Sequence, residues 1–273
     1  MGYAEILYDV SDRIATITLN RPEKLNAWTD QMGAEVRNAL LAAEGDGNVR
    51  VIILTGAGRG FCAGADMSLL KQAASSGVDR RLIPPQPEPA TNGARSDFQR
   101  RYSYFPSIKK PIIAAINGPC AGLGFVLSLY CDLRFASDAA RFGTAFARRG
   151  LIAEHGIAWV LPRLVGPAHA LDLLLSARMI DAVEAERMGL VNRVVTADQL
   201  IQEVRTYAKE LATLVSPRSM GVIKQQVYNA LMETLEEATI AADKAMFESF
   251  DAQDFKEGVA HFLEKRAPAF TGK

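Results

Sequence analysis

The sequence predicts an α/β fold, and three observations predict it. From Ile6 to Thr55 the pattern runs strand, helix, strand at the spacing of an α/β layer. Two short runs, Val51 to Thr55 and Ile112 to Ile116, are dominated by apolar residues, as expected of strands buried on both faces. Each run then empties into glycine-rich chain: Gly56-Ala57-Gly58-Arg59-Gly60 after the first, and Asn117-Gly118-Pro119 followed by Gly122-Leu123-Gly124 after the second.

Taken in order, Ile6 to Leu19 contains an alternating stretch, Ile14, Thr16 and Thr18 against Ala15, Ile17 and Leu19, which predicts a strand pair ended by Asn20-Arg21-Pro22. The loop around Lys24 and Trp28 either lines a ligand groove or, for Trp28, serves the core. Thr29 is the N-cap of a helix to about Glu44, with Asp30 at the positive end of its dipole and Gly45-Asp46-Gly47-Asn48 as its stop. A helix follows Met67 to about Ala74. Between Ser75 and Asp97 the run Pro84-Pro85-Gln86-Pro87-Glu88-Pro89 excludes regular structure and predicts a long loop. A helix from Ser96 to about Phe105 leads into the second apolar strand, and the apolar helix opened by Gly122 follows.

Leu133 to Ala136 is a further strand. Helices are expected at Ile157 to Leu164 and Pro167 to Leu175, then at Asp181 to Met188, with Asp181 as N-cap, Glu184 three residues on and Gly189 at the stop. Gln199 to Leu214 is amphipathic, with Leu200, Ile201, Val204, Ala208 and Leu211 on one side. Ser216-Pro217 starts another helix, and Leu231 to about Phe250 forms one more. From Pro167 onward the chain reads as all-helical.

A buried strand delivered into a buried helix leaves backbone N–H groups without intrahelical partners, and these favour negative charge in front of them. One such junction reads as close packing of strand on helix. Two in one chain can each supply one N–H to the same ligand oxygen, and two donors make an oxyanion hole.

The motifs at these junctions carry a resemblance. Phe61-Cys62-Ala63-Gly64-Ala65-Asp66, Lys110-Pro111-Ile112-Ile113-Ala114-Ala115-Ile116-Asn117-Gly118 and Cys131-Asp132-Leu133-Arg134-Phe135-Ala136 resemble successive signatures of the crotonase (enoyl-CoA hydratase/isomerase) superfamily. The likeness continues through Asn20-Arg21-Pro22-Glu23-Lys24-Leu25-Asn26-Ala27, Glu184-Ala185-Glu186-Arg187-Met188-Gly189-Leu190-Val191 and Phe262-Leu263-Glu264-Lys265-Arg266, in the expected order over almost the whole chain. It implies a spiral core of ββα turns, residues 1–195, holding the CoA and acyl pocket, and a C-terminal helical trimerisation region, residues 196–273. It implies an acyl-CoA thioester as substrate, coenzyme A entering as part of that substrate, no metal or redox cofactor, and a homotrimer or dimer of trimers. The oxyanion donors carry over to the N–H groups of Ala65 and Leu123. Ala63, Asp66 and Met67 carry over to positions beside the nucleotide and pantetheine, and Phe262 and Lys265 to the adenine end of a neighbouring subunit's ligand. The 75–97 loop resembles the variable wall of the acyl pocket.

One departure is informative. A typical hydratase of this superfamily has two glutamates, and the matching positions here are Val126 and Phe146, which leaves both as pocket-lining candidates. The acid that remains is Glu154, in Gly150-Leu151-Ile152-Ala153-Glu154-His155-Gly156, which resembles the single catalytic glutamate of peroxisomal-type Δ3,Δ2-enoyl-CoA isomerases. One carboxylate suits isomerisation: two N–H groups acidify the α-carbon, and a buried base tuned to roughly pKa 6–7 takes that proton and returns it at the γ-carbon. The alternatives are enoyl-CoA hydration, hydrolysis of a thioester or carbon–carbon bond by a Glu154–His155 pair, and acyl-CoA binding without turnover. Glu154 itself can also be a helix-start residue satisfied by nearby N–H groups, and His155 either assists it or lines the pocket.

Composition sets limits. Over 273 residues, 49% are hydrophobic and 23% charged, the balance of a globular protein with a sizeable core. Lys+Arg and Asp+Glu are equal at 31 each, which argues against a polyanion binder and hence nucleic acid. Cys62, Cys120 and Cys131 are odd in number and lie in or beside apolar segments, as reduced core cysteines do. The start lacks a basic region followed by an apolar one, and no window is read as a membrane span, so the expectation is a cytoplasmic protein without a membrane partner.

Overall fold

A computed structural model describes residues 2–76 and 95–273. The proline-rich run 84–89 lies outside them. The main sheet joins β1 (Ile6–Ser11), β2 (Ile14–Leu19), β3 (Val51–Gly56), β4 (Ile112–Ile116), β6 (Leu133–Ser137) and β9 (Arg193–Val195) in that spatial order. The first pair is an antiparallel hairpin and every later pairing is parallel. A smaller sheet orders β5 (Pro119–Ala121), β7 (Arg141–Gly143) and β8 (Ile180–Asp181).

Both faces of the main sheet are covered, which is why β3 and β4 lack a polar face. Ile17, Ile52, Leu54, Ile112 and Ala114 pack with α1 (Asp30–Gly45), α3 (Leu123–Tyr130) and α4 (Ile157–Ser176). The alternate residues Ile14, Val51, Ile53, Ile113 and Phe135 pack with Leu200, Val204, Ala208 and Ala212 of α6 (Leu200–Leu214). Thr29 caps α1 by accepting from the Met32 N–H at 3.0 Å, and Asp181 caps α5 (Ala182–Arg187) by accepting from the Glu184 N–H at 2.8 Å. All three cysteines are free and buried.

The structure corrects several expectations. Ser96 to Phe105 is not a helix: two 3₁₀ turns, Ser96–Gln99 and Phe105–Ser107, replace it. Phe98 leaves helical geometry (φ −99°, ψ 30°), the Ser103 hydroxyl donates to the Asp97 carbonyl, and Pro106 lies in the first positions of the second turn. The tail after Pro167 is not all-helical, because β8 and β9 interrupt it; strands of two and three residues are too short to leave an alternating pattern. For the same reason β5 and β7 escape sequence reading. The last predicted helix begins later, as α8 (Leu235–Phe250), with a capping box between Thr234 and Glu237. A further helix, α9 (Gln253–Glu264), follows it. Finally, α4 has the length and mean hydropathy, 20 residues and 1.2, of a membrane span. It is nevertheless broken at Gly166 (φ 77°, ψ 159°) between Pro162 and Pro167, and Leu161, Val165 and Leu173 face the core.

The C-terminal helices are tied to the site-bearing strands by a buried charge. Lys224 of α7 (Pro217–Ala230) donates to Asp132 at 2.7 Å and to the Lys110 carbonyl at 3.1 Å. Asp132 also accepts from the Ile112 N–H at 2.6 Å and the Tyr228 hydroxyl at 3.0 Å. Lys224→Met is therefore expected to cost about 3 kcal/mol, because a mostly buried carboxylate loses its counter-ion. The urea midpoint of unfolding measures this, and a variant as stable as the parent would refute it.

Candidate active site

The two glycine-rich segments are bound to each other by main-chain hydrogen bonds. The Phe61 and Cys62 N–H groups both donate to the Pro119 carbonyl at 3.1 Å, and the Ala121 N–H donates to the Cys62 carbonyl at 2.9 Å. On the other side the Trp28 N–H donates to the Gly64 carbonyl at 2.7 Å and the Asp66 N–H to the Trp28 carbonyl at 2.9 Å. Ala65 lies between those two bonds, so its own N–H points away from Trp28. Leu123 is the first residue of α3, after Gly122 (φ 50°), which provides no side-chain cap. Among the described residues neither the Ala65 nor the Leu123 N–H meets an acceptor. The close approach depends on Gly64, with φ 105° and a Cβ position 3.1 Å from the Ala121 carbonyl oxygen.

Both donors line one cavity of about 370 Å³, together with Lys24, Ala63, Asp66, Met67, Phe146, Glu154 and His155. Its two carboxylates differ in state. Asp66 accepts from the Ser68 N–H at 3.0 Å and hydroxyl at 2.9 Å and from Arg21 at 2.9 Å, which pushes its carboxyl down to about 2. The Glu154 carboxylate accepts no hydrogen bond among the described residues, and burial raises its pKa. The reading of Glu154 as satisfied by neighbouring N–H groups therefore does not hold. His155 Nε2 lies 3.6 Å from Glu154 Oε2. Burial, and then the Arg101 charge, push His155 down to about 4, so this contact is not an ion pair at neutral pH.

The depressed His155 makes a prediction. The unfolded chain binds a proton through an ordinary pKa near 6.5, whereas the folded chain resists it until about 4. The stability this contributes is fully present above the unfolded value and is lost as pH falls through the folded one. His155 has φ 57°, a conformation asparagine tolerates. H155N should therefore lose less melting temperature than the parent between pH 7 and pH 4.5, and parallel losses would refute the assignment.

The match to known proteins spans the chain. Residues 9–273 match the enoyl-CoA hydratase/isomerase family. The chain belongs to that family. It is 37% identical to a 1,2-epoxyphenylacetyl-CoA isomerase of Escherichia coli, with 98% of each chain covered. It is 38% identical to a Mycobacterium leprae protein named "Probable enoyl-CoA hydratase echA8", with 99% of each covered. The crystal structure of an enoyl-CoA hydratase from Bacillus anthracis superposes with a TM-score of 0.87 at 31% identity, covering 99% of this chain and 100% of that one. The fold is the crotonase fold of such hydratases.

Within this family member the cavity gathers Lys24, Ala63, Ala65, Asp66, Met67, Leu123, Phe146, Glu154 and His155 from five separate stretches of chain. Val126 is not among the lining residues: it is fully buried in the core. Phe262, 77% exposed, and Lys265, at the end of α9, do not line the cavity of their own chain. Arg149, which the sequence offers with Tyr130 and Arg148 as a pocket or surface candidate without a role, lies on the cavity wall; reading the sequence missed Leu151 beside it, Arg21 behind Asp66, and Tyr102, whose ring meets His155 edge-on at 4.7 Å. A second cavity of about 480 Å³, lined by Phe98, Tyr102, Tyr130 and Trp159, shares His155 with the first. Nothing local marks Tyr102 as a site residue. Arg21, beside Pro22, stands in a motif that already carries the family resemblance.

Proposed function

We propose that this acyl-CoA enzyme isomerises a Δ3-enoyl thioester to the conjugated Δ2 form, with Glu154 as its single base. The observation that carries the reading is the difference between the cavity's two carboxylates. Asp66 is bound by Ser68 and Arg21 and kept ionised, whereas Glu154 is unpaired and raised in pKa by burial. In this reading the thioester oxygen accepts from the Ala65 and Leu123 N–H groups, which makes the C2 proton acidic. The Glu154 carboxylate removes that proton, the electron pair delocalises onto the thioester oxygen, and the resulting carboxylic acid returns the proton at C4. No water enters and no proton is gained or lost. With Val126 and Phe146 in place of the paired glutamates, and with the cavity's other carboxylate, Asp66, held by Ser68 and Arg21, proton transfer in this reading falls to Glu154 alone. Phe262 and Lys265 would act across a trimer contact, at the adenine of a neighbouring subunit's ligand.

The test offers purified protein 3-hexenoyl-CoA and crotonyl-CoA while absorbance of the conjugated thioester is followed. Appearance of conjugation from the first supports the proposal. Bleaching of the second with no conjugation of the first would establish hydration instead, and release of free thiol would establish hydrolysis.

A further inference from the structure

We infer that Tyr130 is a positioning residue for Glu154, and that α3 thereby holds the base and one oxyanion donor in register. The inference rests on the assignment of Glu154 as the base. Glu154 begins a tight turn in which the Ile157 N–H donates to the Glu154 carbonyl at 3.1 Å. The two central residues of that turn, His155 (φ 57°) and Gly156 (φ 80°), are both left-handed, the mirror-image pattern that is costly for any residue other than glycine, asparagine or aspartate. Such a turn persists only where its surroundings enforce it. The enforcing contact is the Tyr130 hydroxyl, which donates to the His155 carbonyl at 2.8 Å.

Tyr130 is the last residue of α3 and is 6% exposed. Leu123, the oxyanion donor, is the first residue of the same helix, about 10 Å away along its axis. Every residue of α3 is buried, so the helix moves as a unit with the core. The fit is close as well as hydrogen-bonded: a Cβ on Gly156 would sit 2.4 Å from the Tyr130 hydroxyl oxygen. A residue 24 positions before Glu154 in sequence thus fixes the turn that aims it.

The experiment is Y130F, which deletes the hydroxyl and keeps the ring. Turnover of 3-hexenoyl-CoA should fall about tenfold in kcat with KM within twofold, as misplacement of a base without loss of binding predicts. Amide hydrogen exchange in the peptide spanning 151–157 should accelerate. A merely structural role would lower the melting temperature and leave kcat per folded molecule unchanged, and that result overturns the inference. G156A presses a methyl against the same hydroxyl, so adding Y130F to it should cost no further kcat. Fully additive losses also overturn the coupling. A parent enzyme that leaves 3-hexenoyl-CoA unconverted would refute the base assignment itself, a result distinguishable from an active parent matched by an equally active Y130F.

Discussion

Glu154→Gln is expected to lower kcat for isomerisation of 3-hexenoyl-CoA by a factor of about 10² to 10⁴, with KM changed by no more than a few-fold. The substitution keeps the side chain's size and removes only its capacity to take a proton. Among the described residues Glu154 accepts no hydrogen bond, and its neighbour His155, 3.6 Å away, is neutral above about pH 4. The loss should therefore appear in the chemical step with little change in melting temperature. The pH dependence has a definite sign. A base works ionised, so kcat falls as pH drops through its pKa, and burial places that limb above the ordinary glutamate value of about 4.3. The residual rate of E154Q should lack that limb. Conversion by E154Q at the parent rate would remove Glu154 from the mechanism.

Gly124→Val is expected to damage both folding and catalysis. A Cβ at Gly124 would lie 2.3 Å from the Cys62 carbonyl oxygen and 2.6 Å from the Cys62 Cβ, distances that no flexible side chain can relieve. The Cys62 carbonyl is itself fixed by the Ala121 N–H. The start of α3 must move away from the loop that carries Ala65, which separates the two proposed donors. Loss of one donor from an oxyanion hole costs about 10² to 10³ in rate, and overpacking of this kind costs about 1–3 kcal/mol or more of stability. Gly60 supplies the control. It lies in the same glycine-rich segment, but its Cβ position finds Leu25 Cδ2 at an ordinary 3.4 Å. G60A should retain activity within a few-fold. Equal activity of G124V and the parent, measured on folded protein, would disconnect this contact from catalysis.

The helices with polar caps were legible because capping is local: Thr29, Asp181 and Ser216 each accept from an N–H three residues on. The central strands were legible because burial on both faces leaves a run such as Ile112 to Ile116 with no polar residue. The short strands of the small sheet were not, since each depends on partners about 20 to 40 residues away. The site divides along the same line. The two junctions stood out because a strand running into glycines announces free N–H groups, and the family resemblance then pointed to Ala65 and Leu123; Tyr102 is an ordinary aromatic residue, and Tyr130 a candidate without a role, until folding brings both against His155.

By itself, then, the sequence determined the α/β class, the family motifs and the absence of the paired glutamates, all properties of residues close along the chain. Only the tertiary structure decided that, among the described residues, Glu154 is the acid of the cavity without a hydrogen bond and Asp66 the one held ionised by Ser68 and Arg21. The ionisation of a carboxylate depends on solvent, charges and donors within a few ångströms, and in this chain Arg21, which holds Asp66, comes from 45 residues away.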